Sequence, residues 1–226
     1  MMSIKKYPLS CSKIDKLLGG GFETGTVTQI YGEGGSGKTN ICLQLTIECV
    51  KSGKRVIYID TEGFSIERFN QIGGDDAKRL SSAVMIYEPL SFDQQYSVIK
   101  EIDKVVEENI GLIILDSVTL FYRYELDDEH SISLKRALAN QVAHLLGLAR
   151  KHNVAIVVTN QVYTDVDKNI FCPVGGNMLN HLSKVIIHLE KFDFGKRRAI
   201  IKKHRSMPEG ISCDFVLTSD GVRDEF

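Results

Sequence analysis

The sequence predicts a three-layer α/β fold built on a mostly parallel, twisted β-sheet. Short, nearly all-apolar runs recur along the chain, and longer stretches with helical periodicity separate them. Apolar runs without alternation indicate strands that are buried on both faces, as in a parallel sheet. Repeated strand–helix–strand units place helices on both faces of that sheet. In the C-terminal part, runs joined by short turns predict antiparallel strands that extend the sheet.

The predicted strands and helices alternate as far as residue 160. The strands are predicted at 26–31, 55–60, 83–88, 111–116 and 154–160, and the helices at 39–51, 66–72, 92–108 and 132–152. Ser91 and Gln94 fit a capping box at the start of the third helix. The antiparallel strands are predicted at 184–192, 196–204 and 213–221.

Composition indicates one globular domain that spans residues 1–226. The chain is 43% hydrophobic and 25% charged, and its length suits a single α/β domain. The net charge of -1 provides no global field that attracts nucleic acid, so any DNA binding must come from local patches.

The lack of recognisable targeting signals in this sequence and its cysteine usage predict a cytoplasmic protein without a membrane anchor. No apolar run approaches the roughly 18 residues of a membrane span, and the N-terminus lacks the apolar core of a signal peptide. The five cysteines are scattered and form no C-x-x-C pair, which predicts reduced thiols without zinc or disulfides.

A glycine-rich segment follows the first predicted strand and opens the first predicted helix. Residues 32–39 read G-E-G-G-S-G-K-T, a full match to the phosphate-binding pattern G-x-x-x-x-G-K-[ST]. The glycines allow backbone N–H groups to converge on phosphates beside the positive end of a helix. We predict that Lys38 neutralises phosphate charge and that Thr39 binds Mg²⁺; a glycine-rich turn without a ligand is the alternative. The predicted nucleotide-binding residues are Gly32, Glu33, Gly34, Gly35, Ser36, Gly37, Lys38, Thr39 and Asp116.

Three polar residues follow other predicted strands. Asp116 ends the run LIILD, where a second Mg²⁺ contact is expected, with helix capping as the alternative. Glu62 follows YIDT and can orient or deprotonate water in line with a γ-phosphate, although a loop glutamate is ordinarily just solvated. Gln161 in TNQV can sense the γ-phosphate, and turn hydrogen bonding is its alternative.

These motifs together resemble the RecA-type recombinase family along essentially the whole chain. The stretch IDKLLGGGFETGTVTQIYGEGGSGKT is similar to the entry segment of the archaeal and eukaryotic strand-exchange proteins. YIDTEG, LIILDSV, TNQV and PVGGNMLNH then follow in the family order, and TNQV and GGN around a variable loop are the most specific. The resemblance implies a RecA-like ATPase core that uses ATP and Mg²⁺. It also implies that Glu62 activates water and that Gln161 is the γ-phosphate switch.

The resemblance further implies two DNA-binding loops, at residues 121–130 and 162–175. The first carries three consecutive acids, with Arg123 as its only lysine or arginine. It should grip phosphates weakly, because neutralised phosphates dominate DNA affinity. The second carries Lys168 together with two aspartates.

The chain departs from the full recombinases in what surrounds the core. We expect neither their N-terminal helical DNA-binding domain nor their Phe-x-x-Ala docking motif. The interior of the glycine-rich segment, EGGS, differs from the EFRT of the full recombinases. A bare core with a KKHR run most closely resembles the short archaeal paralogues of these recombinases.

Seven lysines and arginines cluster between Lys191 and Arg205. They are consistent with a solvated edge strand protected by charge or with a patch for the DNA backbone. By resemblance to the wider family, residues 203–205 can also reach a nucleotide held by a neighbouring subunit of a homo-oligomer. The DNA-binding candidates are Arg123, Lys168, Arg197, Lys203, His204 and Arg205.

The resemblance implies a DNA repair and recombination protein that binds ATP, hydrolyses it weakly without needing DNA, and assists strand exchange rather than performing it. Its implied partners are single-stranded or branched DNA and a main RadA-like recombinase or a junction nuclease. An ATP-gated protein-interaction module with little DNA binding is the alternative, and the acidic first loop favours it. A clock-type or sensory ATPase of the same superfamily fits less well, because TNQV and GGN bracket a loop.

Overall fold

A mixed sheet with helices on both faces forms the centre of the molecule. The computed structural model describes residues 3–126, 131–165 and 170–225. Its strands are β1 (Lys6–Tyr7), β2 (Phe22–Glu23), β3 (Thr26–Gly32), β4 (Arg55–Asp60), β5 (Val84–Tyr87), β6 (Ile110–Asp116), β7 (Ala155–Asn160), β8 (Val162–Asp165), β9 (Ile170–Pro173), β10 (Val185–Lys191), β11 (Lys196–Lys203), β12 (Ser212–Thr218) and β13 (Gly221–Arg223). Its helices are α1 (Ser12–Leu17), α2 (Lys38–Lys51), α3 (Ile66–Gly73), α4 (Ala77–Ser81), α5 (Phe92–Ile102), α6 (Leu120–Glu125), α7 (Ser131–His152) and α8 (Gly176–Leu182), with a 3-10 turn at Gly74–Asp76.

The central sheet is parallel in its main part and antiparallel at one edge. Its strand order is β13-β12-β11-β10-β3-β7-β6-β4-β5. The strands from β10 to β5 in that order run parallel, and β11, β12 and β13 continue as an antiparallel meander. The predicted fold class is therefore confirmed. The most apolar of the predicted runs form β6 and β7, and these strands and the more polar β3 are buried along their whole length.

Alternate residues of the central strands pack into two separate hydrophobic cores. On β6, Leu112 and Ile114 belong to the core beneath α1 to α4, whereas Ile113 and Leu115 belong to the core beneath α5 to α8. This division follows from the two-residue period of a strand. It produces the predicted three layers. None of the helices within the described ranges combines the length and apolarity that crossing a bilayer requires.

The helix predicted at 92–108 is shorter in the structure, because α5 ends at Ile102. A hydrogen-bonded turn replaces its last part, and the acidic pair Glu107 and Glu108 that follows this turn is exposed. The predicted Ser91 cap is present at the other end, but the Gln94 side chain bonds one residue earlier than a capping box requires. The Ser91 hydroxyl accepts a hydrogen bond from the Gln94 N–H at 3.2 Å, and Gln94 Oε1 accepts one from the Leu90 N–H at 2.9 Å.

The strand predicted at 213–221 is divided by a tight turn into β12 and β13. Gly221 makes this turn possible because its φ is 128°, a conformation that residues with side chains rarely adopt. A Cβ at this position would also collide with Gln44, whose side chain bonds to the backbone of Val222. The turn therefore places β13 against α2, where Gln44 binds it.

One carboxylate connects the C-terminal segment to the first helix. Asp224 accepts hydrogen bonds from the backbone N–H groups of Ser12 (3.0 Å) and Lys13 (2.7 Å). These N–H groups open α1, whose N-cap residue Cys11 provides no capping hydrogen bond of its own to the backbone. Burial opposes ionisation of Asp224, but bonds from Ser12, Lys13 and Cys11 bring its pKa to about 2.

We expect Asp224→Asn to lower the free energy of unfolding by about 1 kcal/mol at neutral pH, a figure discounted for solvent screening. The folded-state pKa lies below the ordinary value of 3.8, so the stabilisation is present above that value and is lost as the pH falls through about 2. Urea unfolding near pH 7 and near pH 3 measures the effect. The difference between the two proteins should shrink in acid, and a constant difference would contradict the ionic role.

Candidate nucleotide-binding site

The carboxyl ends of neighbouring strands meet at one edge of the sheet. In their spatial order, β3 ends at Gly32, β7 at Asn160, β6 at Asp116 and β4 at Asp60. Helix α3 follows β4 and helix α6 follows the neighbouring strand β6, and these two helices pack on opposite faces of the sheet. Open α/β sheets bind ligands outside the carboxyl ends of their strands, at the point where neighbouring strands are followed by helices on opposite faces.

The glycine-rich turn connects β3 to α2, as predicted. Gly32 cannot carry a side chain, because a Cβ there would collide with the carbonyl oxygen of Leu189 on β10. Gly37 is the N-cap of α2 and has a φ of 104°. The turn therefore presents the first N–H groups of α2 to an anion. The Ser36 hydroxyl is buried and has no hydrogen-bond partner among the described residues.

Lys38 opens α2 and is only 7% exposed. Its Nζ donates to the carbonyl oxygens of Gly32 (2.8 Å) and Glu33 (3.0 Å). Burial lowers the pKa of Lys38, and the charges of Glu62 and Asp116 oppose this shift. A buried ammonium held by neutral carbonyls is suited to a phosphate, which would offer it a charged acceptor.

Asp116 lies at the end of β6 and is 2% exposed. Its carboxylate accepts hydrogen bonds from the hydroxyls of Tyr58 on β4 (2.9 Å) and Thr159 on β7. Burial raises the pKa of Asp116, whereas bonds from Thr159, Thr39 and Tyr58 lower it. The Asp116 carboxylate beside the Thr39 hydroxyl provides the hard oxygen donors that Mg²⁺ prefers. The residues present therefore fit a magnesium ion.

Asp60 is a second buried carboxylate, for which the sequence analysis proposed no role. It pairs with Asp116 across β4 and β6 and accepts a hydrogen bond from the Gly63 N–H at 2.9 Å. Burial raises the pKa of Asp60, and the nearby charge of Asp116 adds to the shift. Asp60 thus holds the turn that carries Glu62. An acid at the end of a buried strand was the signal available in the sequence.

The predicted catalytic residues Glu62 and Gln161 are in direct contact. Gln161 Nε2 donates to Glu62 Oε1 at 2.8 Å, and Arg123 Nη1 donates to Gln161 Oε1 at 3.2 Å. Glu62 is exposed, so water can reach its carboxylate. Arg123, predicted as a DNA contact, therefore lies one hydrogen bond from the glutamine, and its role toward DNA stays a prediction.

Asn160 was missed by the sequence analysis and holds the exit of the second predicted loop. It is fully buried, accepts from the Thr119 hydroxyl at 2.8 Å and donates to the carbonyl of Val174 at 2.7 Å. The Val174 N–H donates in turn to the carbonyl of Gln161 at 3.0 Å. The end of β7 is therefore connected to the loop through two neighbouring residues. Their adjacency in TNQV was the available signal.

Parts of both predicted loops have regular structure. The first begins as α6, and the second begins and ends as the antiparallel strands β8 and β9. Residues 127–130 and 166–169, which include Lys168, lie outside the described residues.

The other DNA-binding candidates differ in how far they are engaged within the chain. Arg197 Nε donates to a carbonyl of the glycine-rich turn at 3.1 Å, and Lys203 Nζ donates to a carbonyl of α8 at 2.6 Å. The Nδ1 atom of His204 accepts from backbone N–H groups of the turn that follows it. Burial lowers the pKa of both Lys203 and His204. Arg205 is exposed.

The sheet order, the glycine-rich turn before α2 and the strand-end carboxylates define a RecA-like core of the nucleotide-binding ATPase class. Comparison with known proteins narrows this class. The family model described as Rad51 matches residues 4–225. The chain belongs to the Rad51 family and, within it, to the RadB group of DNA repair and recombination proteins.

Similarity to individual RadB proteins extends over whole chains. The "DNA repair and recombination protein RadB" of Methanococcoides burtonii is 56% identical over 225 residues, which are 99% of this chain and 100% of the relative. The protein of the same name from Archaeoglobus fulgidus is 50% identical over 95% of this chain and 96% of its own. A solved structure described as "Crystal structure of the RadB recombinase" superposes with a TM-score of 0.84 at 36% identity, covering 96% of this chain and 99% of that one.

Proposed function

We propose that this chain is an ATP-switched accessory protein of homologous recombination. It binds ATP with Mg²⁺, hydrolyses ATP weakly without needing DNA, and assists a RadA-like recombinase or a junction nuclease on single-stranded or branched DNA. The observation that carries the proposal is the hydrogen bond between Glu62 and Gln161. It joins the proposed water-activating residue to the residue that leads into the second loop.

The residues from Gly32 to Thr39 would hold the phosphates. The buried hydroxyl of Ser36, which has no partner in the part of the chain that the structure describes, supports this assignment, as does the carbonyl-bound ammonium of Lys38. Thr39 and Asp116 would hold Mg²⁺, which neutralises phosphate charge when bound.

Glu62 would act as the general base, orienting a water molecule and taking its proton. Asp60 fixes the turn that carries Glu62, and Gln161 fixes the Glu62 carboxylate itself. The Gln161 side chain also bonds to Arg123 in the first predicted DNA loop, and its backbone bonds to Val174 in the second. If Gln161 exchanges Glu62 for another partner, both loops would therefore be affected. This arrangement suits hydrolysis that acts as a switch.

A second candidate function is an ATP-gated protein-interaction module with little DNA binding. It is favoured by a specific observation, since Arg123, Arg197 and Lys203 each donate a hydrogen bond within the chain. Each of these cations is thus partly engaged within the chain, which leaves fewer of its N–H donors for a phosphate. A homo-oligomer in which residues 203–205 reach a neighbouring nucleotide stays a prediction.

Salt dependence of DNA binding separates the two functions. For a single-stranded oligonucleotide, we expect a slope of log affinity against log salt between about −1 and −3, because a few phosphates are contacted. Arg205→Ala should reduce the magnitude of the slope by about 0.7, the value of one single-strand contact. Fluorescence anisotropy with ATP and Mg²⁺ present measures the slope.

The control for this titration is Arg79→Ala, which removes an exposed arginine that pairs with Asp76. Arg79 lies on α4, the helix that precedes β5, and β5 is at the opposite end of the sheet from the antiparallel strands. This variant should keep the wild-type slope. A wild-type slope near zero would favour the protein-interaction module and reject the DNA-binding part of the proposal.

A further inference from the structure

The carbonyl oxygens of four consecutive residues in the glycine-rich turn each accept a hydrogen bond from a cationic side chain. Lys38 Nζ, within the motif, donates to the first two of these carbonyls, those of Gly32 and Glu33. The donors to the next two carbonyls lie outside the motif. Lys191 Nζ donates to the Gly34 carbonyl at 2.9 Å, and Arg197 Nε donates to the Gly35 carbonyl at 3.1 Å.

Both outside cations lie on the hairpin formed by β10 and β11. Strand β10 pairs directly with β3, and its Leu189 is opposite Gly32, so the hairpin continues alongside the turn. Lys191 and Arg197 are direct partners across the hairpin. Side chains of such a pair project from the same face of a sheet. The register of the hairpin therefore brings both cations to one side of the turn.

Gly34 and Gly35 need external support, because neither carries a side chain that could anchor it. A Cβ at either position would meet no atom of the described residues within 4 Å, so crowding by them does not explain the glycines. Gly35 has a φ of 73°, and fixing two adjacent glycines in a single conformation is entropically costly. The two cations provide hydrogen bonds to the part of the turn that lacks anchors of its own.

We propose that Lys191 and Arg197 are positioning residues that clamp the glycine-rich turn in its phosphate-binding conformation. In a planar trans peptide the C=O and N–H groups point in opposite directions. Holding the Gly34 carbonyl against the hairpin therefore directs the Gly35 N–H away from the hairpin. The inference rests on the proposed binding of ATP by this turn, and it assigns Arg197 to the nucleotide site in place of DNA.

The neighbouring cations of the basic run do not share this arrangement. Lys196 pairs with Asp193, and Arg198 pairs with Asp214. Besides burial, the positive charge of Lys191 lowers the pKa of Lys38. The two ammonium groups are thus close enough to repel each other, and a bound triphosphate would relieve that repulsion.

The test compares methionine variants, which keep the apolar stem and remove the donor. We expect Lys191→Met and Arg197→Met together to raise the dissociation constant of Mg·ATP about tenfold in calorimetric titration. The single variant Lys191→Arg keeps a cationic donor, so its affinity for Mg·ATP should stay within about twofold of the wild type. Lys196→Met is the matched control on the same hairpin and should bind ATP like the wild type.

Hydrogen exchange in the nucleotide-free protein distinguishes positioning from direct phosphate contact. In the double variant, the amide hydrogens of residues 34–37 should exchange with solvent faster than in the wild type, while exchange in β3 stays unchanged. Wild-type ATP affinity in the double variant overturns the clamp and leaves the proposed function intact. Weakened affinity without faster exchange also overturns it, because the cations then act on the phosphates themselves. A wild-type chain that fails to bind ATP overturns the proposed function and the clamp together.

Discussion

Lys38→Ala is expected to weaken the binding of Mg·ATP by at least about 100-fold. The substitution removes a buried ammonium whose charge-assisted hydrogen bonds to phosphate are each worth about 1.5–3 kcal/mol. It also leaves the carbonyls of Gly32 and Glu33 without this donor, so the turn loses its internal anchor. Isothermal titration calorimetry with ATP and Mg²⁺ measures the loss.

Two controls make the result specific for phosphate recognition. Lys51→Ala removes an exposed lysine from the other end of α2, where it pairs with Glu48 at 2.9 Å, and should leave ATP affinity unchanged. Thermal melting of Lys38→Ala should show a folded protein, because Lys38 makes its hydrogen bonds within the turn. If the folded variant binds ATP with wild-type affinity, the assignment of residues 32–39 to phosphate is wrong.

The central strands could be predicted from the sequence because burial on both faces leaves an uninterrupted apolar run. Strand β6, predicted at 111–116 and observed at Ile110–Asp116, is an example. The short strands β1 and β2 carry no such run. They are held by pairing between Lys6 and Glu23, which are distant in sequence and form an ion pair at 3.2 Å. A local pattern cannot reveal a contact of that kind.

The same distinction explains which parts of the site could be predicted. Lys38 and Asp116 stand out as chemically distinctive residues in a motif and at the end of a strand. The residues alone left the roles of Glu62 and Gln161 open, and the family resemblance supplied their predicted roles. The hydroxyls of Tyr58 and Thr159 reach Asp116 only because β4, β6 and β7 are neighbours. Their role depends on strand order, which the spacing of motifs does not specify.

The basic run illustrates a second limit of sequence reasoning. Its charge is visible in the composition, but the direction of each side chain depends on the register between β10 and β11. That register turns Arg197 toward the glycine-rich turn, whereas Arg198 forms an ion pair with Asp214 on β12. Neighbouring arginines therefore have different roles, and a count of charges treats them as equivalent.

Glu62→Gln is expected to lower the rate of ATP hydrolysis by at least about 100-fold while ATP affinity stays within about threefold. Glutamine keeps the length of the side chain and an oxygen that can accept from Gln161 Nε2, so the contact observed at 2.8 Å can persist. It cannot take a proton from water. Single-turnover hydrolysis of radiolabelled ATP, with enzyme in excess, detects this loss even when the wild-type rate is low.

The decisive comparison is with the neighbouring carboxylates. Glu67→Gln makes the same chemical change at an exposed position in the first turn of α3 and should leave hydrolysis unchanged. Asp60→Asn removes the buried carboxylate that accepts from Gly63, so it should slow hydrolysis only through misplacement of Glu62. If Asp60→Asn abolishes turnover and Glu62→Gln does not, the general base is Asp60. The Glu62–Gln161 bond would then hold the second predicted loop without taking part in the chemistry. The residues that couple hydrolysis to the loops would then be the buried, neighbouring carboxylates of Asp60 and Asp116.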